Sequence, residues 1–488
     1  MGILFSYLIY KMAEANPDEK VVLDELRFSQ ELFFDLILPL IVFPSGYNMR
    51  RKKFFKNIGT IMKFGFLGTI ICFSLYTAML YGALQMCWIT KFNYTSGEEE
   101  CLSKTMGIFE VLSICALLCS SDVIAAIAMI SYSDQPKLFS IVYGEGVFND
   151  IVSIILFNTV QGYQGQTFVF GASTVFSIAG EFIVLGLVSI LIGLAGGVIS
   201  SLMFKWCRFL CHSAITETLL LLIVAMLCYF ISETMEKSSI ISLLTCGICM
   251  AHYTWYNLSP QGKTISSITI SIFGSAAESF VFAYIGLCTF TYTRWEEGEV
   301  APTEPSAYPW SITFIVVMCV IIIVGRIVAV WTAHGLVSMC SKSPDVTFKE
   351  LLFITYGGMI RGAIAFGLVL KIPDVAVGEP SHFKERGVVV TTTLACVIFT
   401  TVVFGSFMPI VQKLLVAPAA PEIDADLREQ LVDKHNEDQS RPGTASFEGE
   451  DRNKELGDSS VNESQREKDQ VSHYDEIKHP NMEMSDAG

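Results

Sequence analysis

Long blocks of apolar residues, split by short polar interruptions, fill the chain up to about position 416. Eleven blocks can be marked, near 31–46, 57–89, 105–131, 138–160, 172–204, 215–232, 239–251, 265–290, 310–339, 348–371 and 386–416. Runs of roughly 18–25 apolar residues recur among them, each long enough to cross a ~30 Å hydrocarbon core as a helix. A transmembrane barrel would instead show short segments of strict alternation. The pattern therefore predicts an all-α polytopic membrane protein. A further apolar start, Ile3 to Tyr10, is too short to span alone and lacks the small-residue cleavage site of a signal peptide.

Composition agrees. Of 488 residues, 52% are hydrophobic and only 17% charged, too little charge for a soluble chain of this length. The net charge of −15 belongs largely to the end of the chain. Residues 417–488 carry 19 acidic and 8 basic side chains and are rich in Ser, Asn and Gln, so this segment is read as a disordered acidic cytosolic tail that buries too little apolar surface to fold alone. A regulatory or partner-binding tail is the other reading. The 14 cysteines are scattered, mostly inside apolar blocks (Cys72, Cys115, Cys228, Cys396), and imply no disulfide framework. Cys246-Gly247-Ile248-Cys249 matches CxxC but sits in an apolar block, where small packing residues are a better reading than a redox or zinc site.

Loop charge sets the orientation. Arg50, Arg51, Lys52 and Lys53 form the strongest basic cluster, which the positive-inside rule assigns to the cytosol. Counting onward, the loop with Lys205 and Arg208 and the loop with Lys342 and Lys349 are also cytosolic. Glu98-Glu99-Glu100 and the acidic stretch from Trp295 to Glu304 fall on the opposite face. The sequon Asn93-Tyr94-Thr95 lands there too and is a glycosylation candidate, whereas Asn257-Leu258-Ser259 lands in the cytosol.

Against this background the polar residues inside apolar blocks carry the information. Glu145, Asn149 and Asp150 stand in the middle of a run from Leu138 to Leu156, where each charge costs at least a few kcal/mol. On a helix Glu145 and Asn149 share a face, with Asp150 one step round. Cys119-Ser120-Ser121-Asp122-Val123 interrupts block 105–131, and its side chains compete for backbone hydrogen bonds, so the helix is expected to unwind there. In block 348–371, Gly357, Gly358 and Gly362 surround Arg361, a second expected interruption. Unwound backbone at membrane depth is tolerated where it lines a cavity or is buried in protein. Two interrupted helices at corresponding places in two halves point to an inverted repeat with a site at the midplane. The pattern predicts a transport protein, with Asp150 as the exchangeable site.

The neighbouring polar residues admit plainer readings. Asp122 and Arg361 could each be a structural ion pair or a helix-end neutraliser. Arg326 is expected to be structural, serving a buried carboxylate such as Glu145. Glu110, Glu181 and Glu217 are expected near membrane faces, Glu278 is ambiguous, and Lys63 is expected to snorkel to the cytosolic face. Gly193-Leu194-Ala195-Gly196-Gly197 suits helix contact. Gly144-Glu145-Gly146 lacks the preceding strand of a dinucleotide fingerprint, and no P-loop is present. No cofactor, no enzyme activity and no nucleic-acid partner are expected.

Four ordered motifs carry a resemblance. Gly144-Glu145-Gly146-Val147-Phe148-Asn149-Asp150 resembles the Asn-Asp ion-site motif of eukaryotic sodium/proton exchangers. His252-Tyr253-Thr254-Trp255-Tyr256-Asn257, Met359-Ile360-Arg361-Gly362-Ala363-Ile364-Ala365-Phe366, and Phe33-Phe34-Asp35-Leu36-Ile37-Leu38-Pro39-Leu40-Ile41 followed by the basic cluster resemble three more. The match runs from about residue 28 to 416, and its wording leans toward the endomembrane and vacuolar branch, hence Golgi, endosome or vacuole over plasma membrane. Three departures stand out. Ser121-Asp122-Val123 replaces the usual Thr-Asp-Pro, Gly146 stands where many members have Ser, and one or two N-terminal helices are expected to be missing or reduced to residues 3–10.

The resemblance implies an inverted-repeat cation/proton antiporter fold, thirteen helices in two six-helix repeats with two crossing interrupted helices. Mapped here, 1–53 is an N-terminal remnant and first scaffold helix, 54–160 and 310–416 form the transport core, 161–309 the dimerising scaffold and 417–488 the tail. It implies that Asp150 binds the cation or proton, that Asn149, Ser121 and Asp122 complete the site, that Glu145 pairs with Arg326, and that Arg361 steadies the second crossing. The expected function is electroneutral exchange of Na+ or K+ for H+ by alternating access, in a homodimer with possible cytosolic regulators on the tail. A channel-like pathway and a transport-dead scaffold acting through its tail are the alternatives.

Overall fold

The computed structural model describes residues 2–15, 30–49, 51–93, 98–122, 126–127, 130, 135–162, 172–207, 213–291, 310–340, 346–372 and 385–416. The expected tail, Val123 and the stretch from Trp295 to Glu304 lie outside the described residues. Helices follow the apolar blocks. They are α1 (Gly2–Ala15), α2 (Gln30–Leu32, a π turn Phe33–Ile37, then Leu38–Tyr47), α3 (Arg51–Lys56), α4 (Ile58–Gln85), α5 (Ile108–Cys119), α6 (Pro136–Gly162) and α7 (Ala172–Trp206). Then come α8 (Ala214–Thr234), α9 (Ser239–Cys249, continued by a π turn Met250–Thr254), α10 (Pro260–Thr291), α11 (Ile312–Cys340), α12 (Phe348–Gly357), α13 (Ala363–Leu370) and α14 (Arg386–Leu415). Among the described residues, seven helices are long and apolar enough to cross a membrane.

Helix α1 extends the short apolar start to 14 residues, about 21 Å at ~1.5 Å per residue, less than a bilayer core. It lies along α10, where Gly2 approaches Ala283 and Gly286, and Ser6 donates to Leu287 O at 2.5 Å.

Packing divides the helices into two groups. In the first, α4 packs on α5 and α11, α6 on α4 and α5, and α14 on α12 and α13. In the second, α9 packs on α2, α7 and α8, and α10 on α1, α2 and α8. The glycines of α7 set the closest approach of the second group. Gly193 lies against Ser242 O and Thr245, and Gly196 and Gly197 lie against Cys228, Cys246 and Cys249. The CxxC cysteines thus serve as packing residues.

Between α4 and α5 runs a short antiparallel hairpin, β1 (Thr90–Asn93) with β2 (Glu98–Cys101), in register Thr90↔Cys101. A disulfide joins Cys87 to Cys101. This departs from the expectation that cysteine spacing implies no disulfide, because only the hairpin register brings these two together. Thr90 also exchanges hydrogen bonds with Ser311 and Thr313 at the start of α11. Asn93 ends β1, while Tyr94 and Thr95 of its sequon lie outside the described residues.

Glu110 and Glu217, expected near membrane faces, are fully buried and cap main chain. Glu110 accepts from the Gly107 and Glu385 N–H groups at 2.6 and 2.9 Å. Glu217 accepts from the Ser259 hydroxyl at 2.9 Å beside the start of α10. Glu181 is exposed.

Candidate functional site

The site forms where two helices stop inside the protein. Helix α5 ends at Cys119, and Ser120 turns extended (φ −61°, ψ 136°). Helix α12 opens on a Thr347/Glu350 capping box and ends at Gly357. The chain stays unwound until Gly362 begins α13. The two unwound segments cross and bond through main chain, Asp122 N–H to Ile360 O at 2.8 Å. Glycine is required at the contact: a Cβ on Gly362 would stand 2.8 Å from Asp122 Cβ.

Helix α6 runs past this crossing and presents its polar residues to it. Ser120 donates to Asp150 Oδ1 at 2.5 Å, and Asn149 Nδ2 donates to Ser121 Oγ at 2.9 Å. Ser153, one turn on, donates to Ala116 O at 2.5 Å and pins α6 to α5. Asn149 is fully buried, and its Oδ1 has no hydrogen-bond partner among the described residues. Asp122 is half-buried and within electrostatic reach of Asp150. Glu278 of α10, from the other packing group, is in turn within electrostatic reach of Asp122.

Two buried arginines flank the cluster. Arg326 of α11 donates through Nη2 to Glu145 Oε1, an ion pair with both side chains fully buried. The guanidinium lies on bare backbone at Gly358, where any side chain would displace it. Arg361 crosses to α5, donating through Nη1 to Ser120 O at 2.5 Å and Cys119 O at 3.1 Å. It thus neutralises the carbonyl end of that helix. Its main chain is held by Thr400 and Thr401 of α14. Arg361 Nη2 donates to the Tyr76 hydroxyl at 2.6 Å, and Tyr76 donates to Ile322 O at 3.0 Å.

The structure therefore brings Asp150, Asn149, Ser121, Asp122, Glu145, Arg326 and Arg361 into one region, Asp122 and Asp150 half-buried and the others buried. It does so with a division of labour the sequence does not show: Ser121 serves Asn149, and Ser120 serves Asp150. Ser120 and Tyr76 are the residues sequence reasoning missed. Ser120 carried a signal, its place in the polar interruption. Tyr76 carried none, since a tyrosine in an apolar helix reads as packing.

The chain as a whole is similar to known proteins. The family model for the transmembrane domain of sodium/hydrogen exchangers matches residues 1–413. Sodium/hydrogen exchanger 3 of Arabidopsis thaliana is 30% identical over 394 residues, covering 80% of this chain and 73% of its own length. Human sodium/hydrogen exchanger 9 is 26% identical over 426 residues, 86% of this chain and 61% of its own. Among solved structures, the sodium proton antiporter MjNhaP1 of Methanocaldococcus jannaschii superposes with a TM-score of 0.55 at 16% identity, covering 85% of this chain and 96% of its own. The antiporter fold and the aligned membrane domain together make this multi-pass membrane protein a member of the sodium/hydrogen exchanger family.

Proposed function

We propose that the protein exchanges Na+ or K+ for H+, one for one, with Asp150 as the shared site. The seating of Asp150 and Asn149 on the serines of an unwound segment, inside the first packing group, carries this reading. Asp150 is half-buried, and a carboxylate drawn out of water needs a positive partner. One carboxylate takes a proton or a monovalent cation, not both. Asn149 Oδ1, with no protein partner among the described residues, offers a hard oxygen of the kind such cations take. Asn149 is neutral, so the pair adds one negative charge rather than two, which favours electroneutral turnover. Glu145 holds Arg326 in its own pair and leaves Asp150 to the ion.

The first packing group holds both interrupted helices and corresponds to 54–160 with 310–416, the proposed moving core. The second group, centred on 161–309, is the proposed scaffold and the homodimer contact. Motif wording favours an endomembrane compartment, where such exchange sets pH and cation balance.

The test is a pH-gradient assay in proteoliposomes with sodium, potassium or lithium supplied in turn. Saturable, cation-dependent proton flux is expected, and Asp150→Asn abolishes it. Flux that survives Asp150→Asn refutes the shared site. Flux that neither saturates nor needs a counter-ion makes the protein a channel instead.

A further inference from the structure

A continuous hydrogen-bond chain runs from α11 to the candidate ion site. Ile322 O accepts from the Tyr76 hydroxyl at 3.0 Å, and that hydroxyl accepts from Arg361 Nη2 at 2.6 Å. Arg361 Nη1 donates to Ser120 O, and Ser120 Oγ donates to Asp150 Oδ1, each at 2.5 Å. The directions are forced. A guanidinium only donates, so the tyrosine must accept from it and give its single proton to Ile322 O. Tyr76 is fully buried, and its ring sits where a side chain on Gly325 would be. The ring also lies beneath the guanidinium, 5.7 Å from Arg361 Cζ, at cation–π range.

This geometry decides where a permanently charged group points. Arg361 is within electrostatic reach of Asp150, yet its two arms are drawn to Tyr76 and to the carbonyls of Cys119 and Ser120. We infer that Tyr76 is a positioning residue for transport: it holds the Arg361 fork on the α5 carbonyls, so that Ser120 keeps its geometry and Asp150 remains open to the transported cation. Without the hydroxyl, one arm of Arg361 loses its acceptor. The Ser120 segment then loosens, and a fixed cation is released beside the carboxylate that sodium must occupy.

The test compares Tyr76→Phe, Ser120→Ala and the double variant in proteoliposomes, with sodium (and potassium in parallel) varied at fixed pH. Tyr76→Phe keeps the ring and removes only the hydroxyl. The expected result is a rise in KM for the cation of about ten-fold, the factor that ~1.4 kcal/mol represents, with a smaller change in maximal rate. Because both residues act through one chain, the double variant is expected to be no worse than the weaker single one. An unchanged KM, a loss confined to yield and maximal rate, or effects that simply add would overturn the role. Where Tyr76→Phe does not fold, Gly325→Ala is read the same way, since its Cβ would displace the Tyr76 ring. The inference rests on Asp150 as the shared site, so Asp150→Asn is measured alongside. Exchange surviving there overturns the site reading. A dead Asp150→Asn with an unchanged Tyr76→Phe KM overturns only the role of Tyr76.

Discussion

The Glu145–Arg326 pair gives the sharpest energetic test. Both side chains are fully buried, and the pair is made through one arm of the arginine. Glu145 Oε2 and Arg326 Nε and Nη1 have no hydrogen-bond partner among the described residues. Removing one member leaves an uncompensated charge with nothing to turn to, a loss of ~3–5 kcal/mol. Glu145→Met should therefore lower the melting temperature of the purified protein by many degrees, and Arg326→Met should do so comparably. Removing both charges takes away the desolvation burden together with the attraction, and such replacements are often neutral or stabilising by ~1–4 kcal/mol. The Glu145→Met/Arg326→Met double variant should therefore melt above either single one. Transport should follow the same order. In Glu145→Met the buried Arg326 guanidinium loses its partner on the helix that carries Asp150, and exchange should fall. In the double variant part of it should return. The assays are thermal unfolding in detergent and cation-dependent proton flux in liposomes. Single variants as stable as the parent, or a double variant worse than both, would refute the reasoning.

Two further outcomes are expected. Gly362→Ala places a methyl 2.8 Å from Asp122 Cβ, and overpacking of this kind costs ~1–3 kcal/mol. It should depress exchange while leaving membrane insertion intact, read as flux per molecule of correctly folded protein. Reduction of Cys87–Cys101 should expose both thiols to a membrane-impermeant maleimide from the non-cytosolic face alone. Labelling from the cytosolic face would reverse the assigned orientation.

How much of this was legible depends on what kind of signal each feature leaves. The unwound segments at 120–122 and 358–362 were readable because Ser, Asp and Gly weaken a helix by themselves, before any tertiary contact forms. The convergence on α6 was readable because charged and amide groups inside an apolar run must be compensated by something. The pairing of Ser120 with Asp150, and of Ser121 with Asn149, was not. In an extended segment successive side chains point to opposite sides, so two adjacent serines look interchangeable until the backbone angles are known. Tyr76 was hidden for a different reason: its role lies in where one proton goes, and nothing in a run of aliphatic neighbours marks that. The disulfide needed the hairpin register, a contact between residues that sequence reading treats as loop margins.

The main-chain bond from Asp122 N–H to Ile360 O has a consequence for how such proteins diverge. Because it uses no side-chain atom, it survives every substitution at either position except proline at 122. The crossing can therefore keep its shape while the side chains around it change. A geometry stored in the backbone leaves the side chains of the candidate site free to change without rebuilding the frame that carries them.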